Sequence, residues 1–308
     1  MCEVRKIDEA YRAYRDELVA AGLLLPLGVR GLYGRSGTFE HIVDCFEGYV
    51  TRMGAHLQQE TMRFPPLIAR EVYERTGHIN NFPDLMGSVD AFTGGPHEHQ
   101  SLLERFNRGE RWGEGLEPSE LMLVPAACYP LYPLATGTLP AGGRRVDLKT
   151  FVFRHEPSDD PARMQLFRQR EYVRLGTADE AMEHRDYWLR RGEEMLSSVG
   201  LDVQVVVAND PFFGRGAKVM KATQREQTLK FELVVPICST EKPTAVSSAN
   251  CHLDHFGVAF DIRAEDGRPA HSACIGFGLE RITLALLRKH GFDLSRWPAE
   301  VRQILALG

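Results

Sequence analysis

The sequence predicts an α+β fold built on a mixed, mainly antiparallel sheet that is flanked by helices. Its C-terminal half contains strand-like segments at residues 229–237, 257–263 and 272–276, without an intervening helix. Consecutive strands of this kind favour antiparallel pairing over a doubly wound parallel sheet. With 308 residues, of which 43% are hydrophobic, the chain is long enough for one large domain or two small ones.

Two helices are predicted near the N-terminus. Residues 7–21 alternate charged and apolar side chains at helical spacing, and Gly22 and Pro26 end this pattern. Thr38 is a suitable cap for a second helix, which ends before Arg63-Phe64-Pro65-Pro66. One face of that helix is an apolar stripe formed by Phe39, Ile42, Val43, Phe46, Tyr49, Val50 and Met53. On its own, this stripe indicates an amphipathic helix that packs on a core.

The middle of the chain follows the same rules. Residues 82–115 are predicted to be mostly loop, because glycine and proline recur there, as in Gly94-Gly95-Pro96. A polar helix is expected to begin at Thr177 and to run through residue 198. Residues 203–208 are predicted to form a buried strand.

The bulk composition narrows the compartment and the partners. A formal net charge of −5 disfavours nucleic acid, because nucleic-acid binders usually carry a basic surface. We expect neither a secretory signal nor a membrane span, since no apolar run is long enough. The six cysteines are widely scattered: Cys2, Cys45, Cys128, Cys238, Cys251 and Cys274. This spacing predicts the reducing cytoplasm rather than a disulfide-bonded secreted protein.

The segment Phe153-Arg154-His155-Glu156, followed by Arg163 and Phe167, suits a nucleoside triphosphate. Arginines neutralise phosphate oxygens as rigid forks, and an aromatic ring stacks on a base. A plainer interpretation makes Arg154 and Glu156 a surface ion pair and Phe167 a core residue.

A second segment, at residues 274–281, reads Cys-Ile-Gly-Phe-Gly-Leu-Glu-Arg and leads into an apolar helix. Taken alone, Gly276 and Gly278 could merely relieve crowding where a strand meets a helix. Together and in this order, the two segments resemble the second and third signature motifs of class II aminoacyl-tRNA synthetases. Residues 38–66 resemble the first motif, which forms the dimer interface in that family. The resemblance implies a class II synthetase-like catalytic domain at residues 38–308, a short N-terminal extension at residues 1–37, and a homodimer.

The resemblance also implies an ATP site formed by Arg154, Glu156, Arg163, Phe167, Glu232, Gly278 and Arg281. In such a site Arg154 contacts the α-phosphate and Glu156 reads the adenine amino group. Arg163 holds the terminal phosphates, while Phe167 and Arg281 enclose the adenine from its two faces. The implied catalytic residues are Arg154, Arg281 and Glu232, because this chemistry depends on positioning and electrostatics.

A zinc ion is implied by a closer resemblance. Atypical seryl-tRNA synthetases of some archaea hold zinc with two cysteines and a glutamate, and Cys128, Glu171 and Cys274 match those places. Two thiolates, a carboxylate and one open position suit a catalytic zinc at which a free α-amine replaces water. Glu171 therefore also counts as a substrate-binding residue. Spacing alone predicts no zinc site, and buried structural cysteines are the plainer interpretation.

Two further stretches resemble the seryl enzymes. In one of them Glu232 would bind magnesium together with ATP, and in the other Ser248 and Asn250 would line the amino-acid pocket. Seryl enzymes carry a glutamate immediately before the paired serines, whereas this chain has Thr244-Ala245-Val246. The difference puts serine in doubt as the substrate. His252, which follows, is predicted to be a core or surface histidine.

The acceptor is expected to be a protein rather than tRNA. Seryl enzymes bind tRNA through a long N-terminal helical arm, for which no room precedes the helix at residue 38. A bacterial family that fits is the amino acid:carrier-protein ligases, which resemble shortened seryl enzymes and activate glycine or alanine. They pass the amino acid to the phosphopantetheine thiol of a carrier protein. The implied partners are ATP, glycine or alanine, and such a carrier.

Carrier proteins are typically acidic, so a basic docking face is expected. Cationic side chains recur at three- and four-residue steps at Arg215, Lys218, Lys221 and Arg225. On a helix these residues form one stripe, which suits an acidic partner. A solvated helix face explains the same pattern.

Three other functions remain open. One is a minimal seryl-type synthetase that charges tRNA with the help of a separate recognition partner. Another is a regulatory synthetase paralogue without catalysis, although such proteins tend to lose the phosphate-binding arginines that are present here as Arg154, Arg163 and Arg281. The third is ATP hydrolysis on a substrate without an amine.

Overall fold

The computed structural model describes residues 2–208 and 228–308. The strands among them are β1 (Leu24–Pro26), β2 (Tyr33–Arg35), β3 (Glu60–Arg63), β4 (Leu67–Ala69), β5 (Ser88–Ala91), β6 (Glu117–Leu123), β7 (Gly137–Thr138), β8 (Arg144–Phe153), β9 (Leu166–Gly176), β10 (Gln204–Val207), β11 (Lys230–Val235), β12 (Thr244–Leu253), β13 (Ile262–Arg263) and β14 (His271–Gly278). Seven of them form the central sheet, in the order β10-β11-β12-β14-β9-β8-β3. All neighbours in this sheet are antiparallel except β3 and β8, which are parallel. The predicted α+β fold with a mixed, mainly antiparallel sheet is confirmed.

The α-helices among the described residues are α1 (Cys2–Ala20), α2 (Gly37–Gly54), α3 (Arg70–Arg75), α4 (His78–Asn81), α5 (Pro96–Asn107), α6 (Ala178–Ser198), α7 (His255–Ala259), α8 (Leu279–His290) and α9 (Ala299–Leu305). Helix α6 covers one face of the sheet. An added Cβ at its Gly192 would lie 2.9 Å from the Leu233 and Ile275 side chains, so glycine permits this close packing. Within residues 2–208 and 228–308, no helix has both the length and the apolar content needed to cross a membrane.

The start of α6 is the one that the sequence predicts. The Thr177 hydroxyl accepts the Glu180 N–H, and the Glu180 carboxylate accepts the Thr177 N–H at 2.9 Å. This reciprocal capping satisfies two N–H groups that the first helical turn would otherwise leave without partners.

Helix α2 begins earlier than predicted, because Ser36 rather than Thr38 is its N-cap. The Ser36 hydroxyl accepts the Phe39 N–H at 3.2 Å from an extended backbone. The predicted Thr38 cap is therefore wrong. The apolar stripe from Phe39 to Val50 is buried, as expected for a core helix.

The predicted loop at residues 82–115 is wrong over much of its length, since this segment contains β5 and α5. Pro96 has a fixed φ that suits the first helical turn, and the Glu98 carboxylate accepts the Gly95 N–H at 2.9 Å. No residue of α5 is buried, so the apolar periodicity that indicates a helix is weak there. Helix α5 is therefore stabilised at its start by local capping, and apolar periodicity did not predict it.

Two strand predictions also need correction. Residues 203–208 are not a buried strand, because β10 is the sheet edge and its Val205 and Val207 are 38% and 39% exposed. Residues 257–263 mostly form α7 and the turn after it, with only β13 extended. An added Cβ at Gly257 would lie 2.1 Å from a backbone oxygen, so α7 packs where a side chain does not fit.

The first 37 residues share the core of the rest of the chain. Their buried apolar side chains belong to the same cluster as those of the sheet, and they are Tyr14, Leu18, Leu23, Leu24 and Tyr33. The Tyr14 hydroxyl donates to the Leu284 carbonyl of α8 at 2.7 Å. Helix α1 thus lies against α8. The division of the chain at residue 38 stays a prediction.

Replacing Glu280 by glutamine is expected to lower the free energy of unfolding by about 2 kcal/mol, the scale of hydrogen bonds to charged groups. Glu280 is 1% exposed and accepts both the backbone N–H and the Nε–H of Arg168 at 2.7 Å, joining α8 to β9. Chemical denaturation of Glu280→Gln would test this, with Glu300→Gln, an exposed position in α9, as the matched control. Equal midpoints for the two variants would contradict the prediction.

Candidate active site

The register of the central sheet places several predicted site residues on one face. Glu232 on β11 lies opposite Ser248 on β12. Ser248 in turn lies opposite Gly276 on β14, and Gly276 lies opposite Glu171 on β9. Directly opposed residues share a face of a sheet, and the other face is covered by α6. These positions, distant in sequence, therefore form one row.

A second row lies two residues further along the strands and contains Lys230, Asn250 and Cys274. The Asn250 Nδ2 donates to the Cys274 Sγ at 3.6 Å and to the Ser248 Oγ at 3.3 Å. The His252 Nε2 lies 3.8 Å from the same sulfur. Sequence reasoning did not assign His252 to the site, yet two polar side chains of β12 approach the Cys274 thiol.

A cavity of about 480 Å³ lies over these rows. Every predicted site residue within residues 2–208 and 228–308 lines it: Cys128, Arg154, Glu156, Arg163, Phe167, Glu171, Glu232, Ser248, Asn250, Cys274, Gly278 and Arg281. The structure thus brings these residues together, while their individual roles stay predictions. The predicted docking residues Arg215, Lys218, Lys221 and Arg225 lie outside the described residues.

One part of the cavity is cationic. Arg154 and Arg163 lie on the loop between β8 and β9, and Arg281 lies in the first turn of α8. The guanidinium carbons of Arg154 and Arg281 are 5.7 and 5.4 Å from the centroid of the Phe167 ring. Arg281 donates to two backbone carbonyl oxygens, at 2.8 and 3.0 Å. Neither Arg154 nor Arg281 forms an ion pair with any residue that the structure describes.

The charge in this part of the cavity is poorly neutralised. Burial, together with the nearby Arg154 and Arg163, lowers the pKa of Arg281 to about 10. Mutual repulsion among neighbouring cations is relieved by an anion, so this part of the cavity suits a phosphate chain.

Glu156 pairs with Arg163, at 2.7 Å between Oε1 and Nη1, and not with Arg154. The alternative of an Arg154–Glu156 surface pair is therefore not what the structure contains. Because the Arg163 side chain is 44% exposed, the pair is weak and can open toward a ligand.

Cys128, Glu171 and Cys274 meet in an adjoining part of the cavity. Burial raises the pKa of Glu171 to about 7, while the Cys128 thiol, a backbone N–H, Arg154 and the Cys274 thiol act in the opposite direction. Burial, then the charge of Glu171, raises the pKa of both thiols. Since Arg154 acts on Glu171 and also lies near Phe167, the thiol–carboxyl cluster adjoins the cationic part.

Within the described part of the chain, no group of three or more His, Cys, Asp or Glu side chains has the arrangement of a preformed metal site. Zinc therefore stays a prediction. The chemistry of the donor set nevertheless fits this metal, because it offers two thiols and a carboxyl group. The Glu171 Oε1 accepts the Ala127 N–H at 3.2 Å, but Oε2 is buried without an aligned hydrogen-bond partner. The Cys128 and Cys274 thiols, which lower the Glu171 pKa, are only weak donors, so a bound cation would satisfy this buried acceptor more fully.

Glu232, the predicted magnesium ligand, is 3.3 Å from the Lys230 Nζ in the same face of β11. A cation bound with ATP at this carboxylate would share it with the lysine. Glu232 is partly exposed, so a magnesium ion that keeps most of its water shell can approach it.

Sequence reasoning missed other residues that line the cavity, among them Gln169 and His78. Strand alternation could have found Gln169, which lies between Phe167 and Glu171 at period two. His78 offered no signal. Its Nδ1 is 3.2 Å from the Tyr129 hydroxyl, its Nε2 is buried without a partner, and burial lowers the pKa of His78 to about 4. His78 is therefore neutral at physiological pH.

No protein-family model matches the chain. Two curated relatives from Bradyrhizobium diazoefficiens are named amino acid–[acyl-carrier-protein] ligase 1 and ligase 2. Each is 41% identical to this chain over 94% of its length, and the matches cover 89% and 87% of the relatives. The chain belongs to this ligase family. The prediction of an amino acid–[acyl-carrier-protein] ligase is confirmed at the level of the family.

More distant similarities extend beyond the ligase family. A type-2 serine–tRNA ligase of Methanopyrus kandleri is 27% identical, with a match that covers 85% of this chain and 53% of that protein. In the crystal structure of A. aeolicus tRNASec in complex with M. kandleri SerRS, the match has a TM-score of 0.81 at 23% identity and covers 60% of that chain. A Pyrococcus horikoshii seryl-tRNA synthetase complexed with ATP has a TM-score of 0.69 at 16% identity. These structures confirm the class II synthetase fold of the ligase family member described here.

Proposed function

We propose that this protein uses ATP to activate glycine or alanine as an aminoacyl-adenylate and transfers it to the phosphopantetheine thiol of a carrier protein. One observation carries the proposal: a cluster of arginines and a thiol–carboxyl cluster line the same cavity, and Arg154 of the first lies near enough to Glu171 of the second to lower its pKa. An adenylate needs this combination, since the carboxylate of an amino acid that is held by its amine must reach the α-phosphorus of ATP. Membership of the ligase family supports the same reaction.

ATP would occupy the cationic part of the cavity. Arg154 would hold the α-phosphate and Arg163 the terminal phosphates, while Glu156 would accept from the adenine amino group. Adenine would lie on Phe167, with Arg281 over its other face. Because each stacked contact needs about 3.5 Å, the Arg281 guanidinium, now 5.4 Å from the ring centroid, would have to move outward on binding. Gly278 precedes Arg281 at the start of α8 and leaves room for that side chain.

The amino acid would bind with its amine at the thiol–carboxyl cluster. Zinc held by Cys128, Glu171 and Cys274 would supply a Lewis-acid position for a free α-amine. Ser248 and Asn250 would line the pocket beside it. A small amino acid is favoured because ATP and the amino acid share a cavity of about 480 Å³. Glu232 would bind the magnesium ion that accompanies ATP.

The chemistry proceeds in two steps. A carboxylate oxygen of the amino acid attacks the α-phosphorus and pyrophosphate leaves. The thiol sulfur of the carrier then attacks the adenylate carbonyl carbon, AMP leaves with the bridging oxygen, and the thiol proton passes to solvent. A pantetheine thiol needs less activation than a hydroxyl, so this step does not require a strong base.

The protein is further proposed to be a cytoplasmic homodimer. The thiols of Cys45, Cys128, Cys238, Cys251 and Cys274 are free, which supports a reducing compartment. The dimer interface would be formed by α2 and β3, the elements of the segment that resembles the first class II motif. Light scattering on the purified protein tests this state directly.

Reversing the charge of two residues in the predicted docking stripe, as in Lys218→Glu with Lys221→Glu, is expected to slow transfer to the carrier about tenfold at low salt, since charge complementarity mainly sets the association rate. Adenylation should be unchanged, because neither residue is assigned to ATP or to the amino acid. Transfer would be measured as thioester on a phosphopantetheinylated carrier. An unchanged transfer rate would contradict the docking proposal and leave the adenylation proposal intact.

The experiment that tests the proposed function is amino-acid-dependent ATP–pyrophosphate exchange on zinc-loaded protein, across all standard amino acids. Exchange with glycine or alanine is the expected result, followed by thioester formation on a carrier. Charging of a bulk tRNA pool instead of the carrier would favour the minimal synthetase. Absence of exchange with every amino acid would reject the enzyme and favour the regulatory paralogue.

A further inference from the structure

Three arginines from the N-terminal 37 residues converge on one carboxylate of the loop between β8 and β9. Asp159 Oδ1 accepts from Arg15 Nη1 at 2.8 Å and from Arg30 Nε at 3.3 Å, and its Oδ2 accepts from Arg12 Nε at 3.2 Å. Arg12 and Arg15 lie on α1, and Arg30 lies in the turn between β1 and β2. Two separate N-terminal elements, α1 and the turn between β1 and β2, therefore bind the same carboxylate.

The turn between β1 and β2 also docks on the end of this loop. The Gln165 N–H donates to the Gly31 carbonyl at 2.8 Å, and the Gln165 Nε2 donates to the Arg30 carbonyl at 2.7 Å. Gly31 has a φ of +78°, and an added Cβ would lie 3.5 Å from backbone atoms of Ser158 and Arg163. The turn thus lies close to both sides of the loop.

The inner side of the same loop faces the cavity. Asp160, the neighbour of Asp159, lines the cavity and accepts the Ala162 N–H at 2.9 Å. The Ala162 carbonyl accepts from Arg281 Nε at 2.8 Å. The loop therefore connects the N-terminal arginines on its outside with Arg281 on its inside.

Helix α1 is itself fixed to the helix that carries Arg281. Tyr14 bonds to the Leu284 carbonyl of α8 at 2.7 Å, and the guanidinium of Arg288 lies 5.1 Å from its ring centroid. One turn before Arg15, Tyr11 projects into the cavity as part of its wall. α1 consequently bridges α8 and the loop.

We infer that the N-terminal segment is part of the ATP site, in which Asp159 is a positioning residue that lets Arg12, Arg15 and Arg30 hold the loop closed around the nucleotide. This inference rests on the proposed use of ATP. It gives the first 37 residues a function in nucleotide affinity rather than that of a passive extension. The amino-acid part of the cavity does not depend on these contacts.

Asp159→Asn is expected to weaken ATP binding about tenfold, because exposed ion pairs each contribute only a small factor and three are lost together. Calorimetric ATP binding without amino acid and hydrogen exchange of residues 154–165 provide the two readouts, with faster exchange expected in the variant. Where the protein catalyses ATP–pyrophosphate exchange, the variant's KM for ATP should rise while its KM for the amino acid stays constant. Arg15→Gln should act in the same direction with a smaller effect, since it removes one of the three contacts of Asp159. The double variant should lose little more than Asp159→Asn, because that substitution already breaks the Arg15 contact.

The matched control is Asp16→Asn, because Asp16 also bonds to Arg15, at 2.8 Å, but is 66% exposed and does not touch the loop. Control and wild type should bind ATP equally. Unchanged ATP affinity and unchanged hydrogen exchange of residues 154–165 in Asp159→Asn would overturn the inference. A wild-type protein that binds no ATP would overturn it as well. A wild-type protein that binds ATP through the closed loop but shows no amino-acid-dependent exchange would overturn the proposed reaction alone.

Discussion

Replacing Arg154 by lysine is expected to lower amino-acid-dependent ATP–pyrophosphate exchange by about 100- to 1,000-fold, the usual effect of removing one preorganised donor to a developing charge. The arginine is held in place by a bond from its Nε to the Pro125 carbonyl at 3.1 Å, which leaves the two terminal nitrogens for a ligand. Lysine keeps the charge but cannot both reach that carbonyl and present two parallel donors. The loss should fall mainly in kcat, because the α-phosphate gains charge in the transition state.

The matched control for this substitution is Arg263→Lys, since Arg263 is 54% exposed and pairs with Asp261 at 2.9 Å outside the cavity. Its exchange rate should equal that of the wild type. A thermal unfolding scan of both variants would exclude a folding defect. If Arg154→Lys retained more than a tenth of the activity, Arg154 would not be the residue that contacts the α-phosphate.

The sequence was sufficient to name twelve residues that line the cavity, but not to explain why they meet. Phe167 and Glu171 lie on one strand, so alternation alone brings them to one face. The approach of Ser248, Gly276 and Glu171 depends on strand register, which is set by long-range pairing and cannot be read from local pattern. Resemblance to known motifs implied that these residues share a site, without giving the register that brings them together.

Site residues outside the motifs could not be predicted from the sequence, for physical reasons. His78 is an isolated histidine in a four-residue helix, and it is buried against Tyr73 of the preceding helix and Tyr129 of a distant segment. Asp159 reads as one of many loop carboxylates until three arginines from the N-terminus are brought to it. Helix α5 was not predicted, because it buries no residue and therefore lacks the apolar periodicity of a core helix.

The location of these misses follows a common rule. Where a segment packs on the sheet through a continuous apolar stripe, as α2 does, periodicity predicts it. Where an element is fixed by caps, ion pairs or close backbone approach, its position depends on a few individual contacts, which leave no periodic pattern in the sequence. In this protein the loop between β8 and β9 is of the second kind, which is why its connection to α1 emerged only from the structure.

Cys274→Ser is expected to lower zinc affinity by at least about 100-fold, since loss of an outer-shell partner alone reaches that size, and to abolish amino-acid-dependent exchange. Cys274 is buried beside Glu171, and both features raise the pKa of its thiol, whereas the Asn250 amide, which donates to the sulfur at 3.6 Å, favours the thiolate. A bound zinc ion would offset the burial and the carboxylate charge, because a coordinating thiol is deprotonated. Serine is nearly isosteric but is a poor zinc ligand. Because thiols release protons when they bind zinc, wild-type zinc uptake should also weaken as the pH falls.

Zinc content of the purified proteins, measured by atomic emission together with competition against a chelator, separates metal loss from loss of activity. Cys45→Ser is the matched control, since Cys45 is a half-buried free thiol on α2 outside the cavity. Wild type and control should bind one zinc per chain, lose exchange after chelation and regain it with added zinc, whereas Cys274→Ser should regain nothing. Full ATP–pyrophosphate exchange by metal-free wild-type protein would reject the zinc site. Protonation of the Glu171 carboxyl group would then be the explanation for its buried Oε2.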